Sequence, residues 1–443
     1  MKSIIVEDKR PLIGTVSISG SKISSIYLIY ASMFCNEDII LYNVPNIPYI
    51  NDELEIIKSI GGTANWIGKN TLLLNGSTID TYKIPFKNTK RLRTTFLITG
   101  VLLHRFGKAY IPKIDLNLNK PSPINRILET WDSLGVVYLE DENYYMLSNE
   151  SLKPNLISFK NVTNLGSAHA LILSSCLLGD SVIKNISQDP DVNDLILFLK
   201  HMGVGIINIE PSVIKVSGTN VFKKHNYEIK PDKTEVIMFS VATLMTNGNI
   251  LIKNVVREDL TSFTYFLMKI GARFEFDNNG FKVWSLGEVY SCTDATISNF
   301  PGLLSDWQSF LTLLLCKCEG ESHIYDLVYT NRFDYIKDLN RMGGKIDLIK
   351  PSQIGKEFLT YDDSFVNNGN EPCTVIKVLG PVKLKAEKID IVDLRNAAVL
   401  LIASLSCDGK SFISGFEKVE FMYEDVVEKF KELGAKIKYV SSD

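Results

Sequence analysis

The chain has 443 residues, 45% hydrophobic and 22% charged, with a formal net charge of −3. That is a globular composition too long for a single core, and its near-neutral charge without a basic tail gives no support to a nucleic-acid partner. Seven Cys lie scattered without CxxC spacing, the N-terminus lacks a signal-peptide apolar region, and stretches such as Ala397 to Ala403 are too short to cross a bilayer. Reduced thiols, a cytoplasmic location and no membrane association are therefore expected.

Along the chain one phrase recurs six times. A Gly ends a helix, a short β-branched run follows, then polar residues, then a helix that closes on an apolar residue and Gly. The closings are Ile60-Gly61, Leu134-Gly135, Met202-Gly203, Ile270-Gly271, Met342-Gly343 and Leu433-Gly434, 68 to 91 residues apart. The third copy, GDSVIKNISQDPDVNDLILFLKHMGV, shows the pattern. Val182-Ile183 reads as strand, and Leu195, Phe198, Leu199 and Met202 recur at helical spacing. A period this long suits a β/α unit rather than a solenoid repeat.

Six units divide into two domains of three. The phase of the repeat assigns 21–231 to one domain and 1–20 with 232–443 to the other, the opening strand Ile4 to Ile18 completing the last unit. Two adjacent crossings suggest a hinge, with a ligand in the cleft.

Cations cluster at phrase boundaries. Ser19-Gly20-Ser21-Lys22 ends the first strand and opens a helix, and Lys90-Arg91-Leu92-Arg93 opens another. Lys120 follows the polar loop IDLNLNK, while Asn331-Arg332 and Asp393-Leu394-Arg395 are each expected to begin a helix. Taken singly, each of these charges reads as solvated surface sooner than as a ligand contact. A cation at a helix start opposes the macrodipole, so several together point to a bound anion. No P-loop or GxGxxG is present and the five His show no ligand spacing, so neither a cofactor nor a metal is expected. His169, in LGSAHALIL, reads as a core histidine.

These residues carry a resemblance. The segments GTVSISGSK (14–22), DPDVNDLILFL (189–199), FPGLLSDWQSFLTLL (300–314), TNRFDYIKDLNRMG (330–343) and VDLRNAAVLLIA (392–403) are similar to those of the enolpyruvyl transferases, across essentially the whole chain. The resemblance implies an α/β fold: a two-domain inside-out barrel of six repeated β/α units. It implies transfer of enolpyruvyl from phosphoenolpyruvate to a hydroxyl of UDP-N-acetylglucosamine or a related nucleotide sugar, with phosphate released, as in peptidoglycan biosynthesis. Both partners would be small molecules and the chain a monomer. Such chemistry needs an acid for the methylene carbon, a base for the hydroxyl and cations for carboxylate and phosphate.

By resemblance Lys22 touches phosphoenolpyruvate, Asp306 is the base, and Arg93, Lys120, Arg332 and Arg395 are anion contacts. Asn164, in Asn164-Leu165-Gly166, stands near the family's acceptor-binding segment. Asp115 falls where the family keeps a Cys or Asp as general acid, although it reads as well as a turn cap. The pattern breaks in four places. Ile23 replaces an acceptor-binding Asn, Lys120 replaces an Arg, Phe421-Met422 replaces an Arg-Gly, and the loop around Asp115 lacks its glycines. A sister group acting on 3-phosphoshikimate fits less well, since its Asp-His-Arg triplet has no counterpart in VDLRNAA. Two alternatives stay open: an enzyme with another acceptor, or a non-catalytic binding or regulatory relative.

Overall fold

In a computed structural model the described residues are 2–86, 92–113, 124–361, 365, 369–394 and 397–440. The chain divides into two compact units, Gly20–Lys230 and Met1–Ser19 with Pro231–Asp443. Helices in the first unit are α1 (Lys22–Ser32), α2 (Pro48–Ser59), α3 (Thr99–Phe106), α4 (Asn125–Leu134), α5 (Asn164–Ser175) and α6 (Pro190–His201). Those in the second are α7 (Lys233–Thr246), α8 (Thr261–Ile270), α9 (Gln308–Leu315), α10 (Tyr335–Arg341), α11 (Ala397–Leu405), α12 (Glu417–Glu420) and α13 (Val426–Glu432).

Each unit is built with helices inside and sheets outside. All residues of α7, α9 and α11 are buried, as is nearly all of α1 and α5. A helix buried on every side has no wet face for its polar side chains, so they must find partners internally. Several do so by turning back on their own helix, although Ser174 Oγ in α5 makes no such bond. Ser25, Ser32, Ser175, Ser240, Thr243, Thr312 and Ser404 each donate to the carbonyl one turn earlier, at 2.6–2.9 Å. Among the described residues three sheets in each unit pack around this centre.

The repeat is visible in the backbone. Gly61, Gly135, Gly203, Gly271, Gly343 and Gly434 all have positive φ, from 75° to 102°. Each ends a helix, and only Gly takes this left-handed conformation without a Cβ penalty.

The opening strand departs from expectation by splitting in two. Ser3–Glu7 pairs with Lys410–Ser414 and Lys436–Val440, joining the last sheet. Ile13–Ser17 instead runs parallel to Asn249–Lys253 in a different sheet. Between them Asp8, at φ 28°, turns the chain, and Asp8 and Lys9 donate their amides to the Gly409 and Cys407 carbonyls.

Just beyond the second strand, Gly20 is pressed against the loop at Asn43, where an added Cβ would meet the Asn43 carbonyl oxygen. Backbone cannot yield as a flexible side chain can. Gly20→Ala is expected to cost about 1–3 kcal/mol, seen as a lower thermal midpoint of the full chain; an unchanged midpoint would contradict the close approach.

Candidate functional site

Lys22 is the first residue of α1 and is 7% exposed. Ser21 caps the helix, accepting from the Ser24 amide. Two carboxylates of α6 hold this start in place. Ser21 Oγ donates to Asp191 at 2.6 Å, and Ser24 Oγ donates to Asp194. Asp194 also accepts from the Tyr227 hydroxyl at 2.5 Å, and burial pushes its carboxyl above the ordinary aspartate value. The sequence folds this way because DPDVND puts Asp191 and Asp194 three apart, on one face of α6.

Arg93 opens a 3-10 turn, Arg93–Ile98, that runs on into α3 at Thr99. The expected helix therefore starts later and tighter than its cationic run suggested. The neighbouring Thr94 hydroxyl donates to Glu53, a wholly buried carboxylate on α2. Tyr30 donates to the other oxygen of Glu53 at 2.6 Å. Burial lifts the Glu53 carboxyl to about 7, against the pull of those two hydroxyls. Tyr49, one turn before Glu53, is pushed up to about 12 by burial and by Glu53, while the charges of Arg93 and Lys22 pull it back. Both cations thus lower the pKa of the same phenol.

Asn164 is exposed at the first position of α5. Its side-chain oxygen accepts from Ser187 Oγ at 2.6 Å, and that same hydroxyl receives the Asp189 amide at 3.1 Å. Asp189 caps α6. Asn164 is therefore linked, through the start of α6, to the helix that holds Lys22.

In the other unit, Asp306 is exposed within a short 3-10 turn, Ser305–Trp307. Buried Trp307 fixes the turn by donating to Thr234 at 3.2 Å. Gln308 donates to Asp326 at 2.6 Å and accepts from the Tyr335 hydroxyl, which lies 2.8 Å from Thr312. Burial raises the Asp326 carboxyl to about 6, opposed by the amides of Val328 and Tyr329, by Gln308 and by the charge of Arg332. The Arg332 guanidinium stacks 3.0 Å from the centre of the Tyr329 ring. Because Asp326 draws the backbone at 328 and 329 into a turn, Arg332 precedes its helix, which begins at Tyr335. Asp306 and Arg332 thus hang on one buried network.

The second unit carries an echo of the Lys22 motif at Asp232-Lys233, the cap and first residue of α7. Here the cation's helix supplies its own acid. Buried Glu235 pairs with Lys429 at 2.6 Å and accepts the Ser19 amide at 3.0 Å, and its carboxyl is raised by burial despite Lys429. Ser19 Oγ donates to Glu424, in the segment where Phe421-Met422 replace the usual Arg-Gly.

Asp115, Lys120 and Arg395 lie outside the described residues, as do Lys90 and Arg91. The other candidates fall into two groups: Lys22, Arg93 and Asn164 in the first unit, Asp306 and Arg332 in the second. Sequence reasoning missed Tyr49, Glu53 and Asp326. The readable signal was Glu53, an acid set among Ile50, Leu54 and Ile57 on the apolar face of α2. Ile23 is partly buried against the first unit's core. His169 is wholly buried with its ring edge-on to Trp131, and burial pushes it down to about 3, so it stays neutral. Among the described residues no group of three or more His, Cys, Asp or Glu side chains could hold a metal ion. Nor is any described helix long and apolar enough to cross a membrane.

Comparison with known proteins places this fold. UDP-N-acetylglucosamine 1-carboxyvinyltransferase of Pelagibacter ubique (strain HTCC1062) is 28% identical over 443 residues, with 100% of both chains covered. UDP-N-acetylglucosamine 1-carboxyvinyltransferase 2 of Listeria monocytogenes serotype 4b (strain F2365) is also 28% identical, covering 98% of this chain and 97% of its own. The crystal structure of the enolpyruvyl transferase NikO from Streptomyces tendae superposes with a TM-score of 0.85 at 21% identity, each chain covered in full. EPSP synthase from Acinetobacter baumannii gives 0.72 at 14% identity, again over both whole chains. These two likenesses establish the fold. The family model of EPSP synthase (3-phosphoshikimate 1-carboxyvinyltransferase) matches residues 6–430, and with nearly the whole chain inside that match the protein belongs to this family of enolpyruvyl (1-carboxyvinyl) transferases.

Proposed function

We propose that this chain transfers the enolpyruvyl group of phosphoenolpyruvate to a hydroxyl of UDP-N-acetylglucosamine or a related nucleotide sugar, releasing phosphate. The observation that carries this reading is buried Lys22 at the first position of α1, a helix start held by Ser21 on Asp191 and by Ser24 on Asp194. The α1 first turn contains no acidic residue, so the positive end of its dipole and Lys22 favour an anion together. End-to-end similarity to carboxyvinyltransferases that use UDP-N-acetylglucosamine supports the choice of acceptor.

In this mechanism Lys22, Lys120 and Arg93 hold the phosphate and carboxylate, with Arg332 and Arg395 as further anion contacts. Asp306 takes the proton from the acceptor hydroxyl as its oxygen bonds to C2 of phosphoenolpyruvate. Asp115 delivers a proton to C3, giving a tetrahedral adduct. Loss of the C3 proton and departure of phosphate from C2 then restore the double bond. Asn164 contacts the acceptor. Reaction in the cytoplasm by a monomer completes the reading.

A second version, with a different nucleotide acceptor, is favoured by one observation: Ile23 packs into the core where an acceptor-binding amide is usual. Phosphate release measured with phosphoenolpyruvate and UDP-N-acetylglucosamine decides. Release that needs both substrates supports the leading version, and release only with another nucleotide sugar supports the second. Nucleotide-sugar binding in a calorimeter without any release would establish a non-catalytic relative.

Lys22→Ala is expected to lower kcat/KM for phosphoenolpyruvate at least about a hundredfold, the loss of a charged contact made in the transition state. A change under about threefold would remove Lys22 from the site. With Asp rather than Cys at 115, an epoxide such as fosfomycin should form no covalent adduct, and a mass increase at that position would refute the assignment of Asp115.

A further inference from the structure

The first turn of α1 is fastened differently from the rest of the helix. Further along, the buried hydroxyls of Ser25 and Ser32 bond back to the carbonyls of Ser21 and Leu28. The hydroxyls of Ser21 and Ser24, which flank Lys22, instead reach the carboxylates of Asp191 and Asp194 on α6. Both acids are buried, Asp194 completely. An apolar contact would pin a helix without the cost of burying a carboxylate, so a polar tie at this turn calls for a reason beyond packing.

The tie runs one step further. Asp194 accepts from Ser24 on one oxygen and from the Tyr227 hydroxyl, at 2.5 Å, on the other. Tyr227 belongs to a two-residue strand, Tyr227–Glu228, that runs parallel to Leu41–Tyr42. Its ring stands edge-on to Phe198, with 5.6 Å between centres. Phe198 lies one turn beyond Asp194 on the same face of α6. Packing on Phe198 therefore sets the ring, and the ring delivers its hydroxyl to Asp194. Three residues on, the Lys230 carbonyl accepts the Ser21 amide at 2.7 Å. The segment 227–230 thus grips the start of α1 at two points, Ser21 directly and Ser24 through Asp194. We propose that Tyr227 is a positioning residue for Lys22, holding Asp194 so that Ser24 and the first turn of α1 keep the lysine where it meets phosphoenolpyruvate. This rests on the reading that Lys22 holds that substrate. Without the phenol hydroxyl, one oxygen of a buried carboxylate loses its donor. The carboxylate then turns toward another partner, and its hold on Ser24 turns with it. A small displacement of a group that must meet the reacting atoms costs a large share of the rate.

Tyr227→Phe keeps the ring on Phe198 and deletes only the hydroxyl. In the full chain kcat/KM for phosphoenolpyruvate should fall about tenfold, inside the range for residues coupled through one network, while KM for the nucleotide sugar moves less than about twofold. The same change made in Lys22→Ala should cost less than about twofold further, because the lysine it positions is gone. A role in stability alone predicts an equal loss in both backgrounds. Ser32→Ala, which removes a buried hydroxyl from the far end of α1, should leave kcat/KM within about twofold of native. If Tyr227→Phe does not fold, Ser24→Ala decides on the same measurements. A native-like Tyr227→Phe, an undiminished loss in the Lys22→Ala background, or a comparable loss in Ser32→Ala overturns the role of Tyr227. Where no phosphate is released, the dissociation constant of phosphoenolpyruvate in a calorimeter, without acceptor, takes the place of kcat/KM, and no binding by the native chain overturns both readings. Lys22→Ala alone separates them. An effect under about threefold removes Lys22 from the site and Tyr227 with it, whereas a large effect there with none from Tyr227→Phe overturns Tyr227 alone.

Discussion

Helices without a wet face govern this molecule. Once α1, α5, α7, α9 and α11 are enclosed by sheets, a polar atom along their length has nowhere to turn but a neighbour or its own backbone. Hydroxyls solve this by bonding one turn back, which is why Ser and Thr, and not Asn or Gln, populate the interior turns. Charge is tolerated only at the ends. Lys22 and Lys233 stand at first helical positions, and Arg93 opens a turn. The rule that builds the core therefore also brings the cations to helix starts, where the helix dipole already favours negative charge. The two echoing starts differ in their own first turns. The α7 turn contains Glu235, which is paired with Lys429, whereas the α1 turn contains no acid.

Beside each proposed site segment the fold keeps a buried acid at an unfavourable potential. Asp194 holds the start of α1, Glu53 holds Arg93 through Thr94, and Asp326 holds both Gln308 and the approach to Arg332. All three are raised by burial, and all three are kept in place by hydroxyl, amide or carboxamide donors. For Glu53, a lift from 4.5 to about 7 means that ionising it in the fold costs about 3 kcal/mol more than in water, at about 1.4 kcal/mol per unit. A fully apolar cluster would avoid that cost. Groups of this kind gather where geometry must be held to a fraction of an ångström, and they are a recognised mark of functional regions.

How far the sequence discloses this depends on the range of the interaction. The six helix-ending glycines are local, and their φ values follow from a requirement that any one turn makes evident. Lys22 at a helix start was legible for the same reason, since Ser21 is a strong cap. Glu53 was legible in part, as an acid on the stripe of Ile50, Leu54 and Ile57, but its partners Tyr30 and Thr94 lie 23 and 41 residues away. Gln308 with Asp326 joins residues 18 apart across a helix and a strand, and nothing in either segment names the other. The division of the opening strand was hidden because alternation looks alike whichever sheet a strand joins. Asp115, Lys120 and Arg395 rest on resemblance alone.

The departures from the family pattern fall unevenly, and their placement bears on which half of the reaction has changed. Ile23 follows Lys22 directly, and successive residues on a helix point about 100° apart. The isoleucine can thus pack on the core while the lysine keeps its direction, so losing the amide there leaves the donor side intact. Phe421 and Met422 lie in a segment whose Glu424 is bonded to Ser19. The same Ser19 hydroxyl accepts from Lys429 at 2.8 Å, so that segment's carboxylate and cation are already engaged with Ser19. Of the contacts proposed for phosphoenolpyruvate, Lys22 and Arg93 stand at starts fixed by the core, which cannot drift without disturbing packing. Asn164, proposed for the acceptor, is an exposed side chain at the first position of α5, where substitution disturbs the packing least. Divergence in this chain should therefore be looked for in the acceptor before the chemistry.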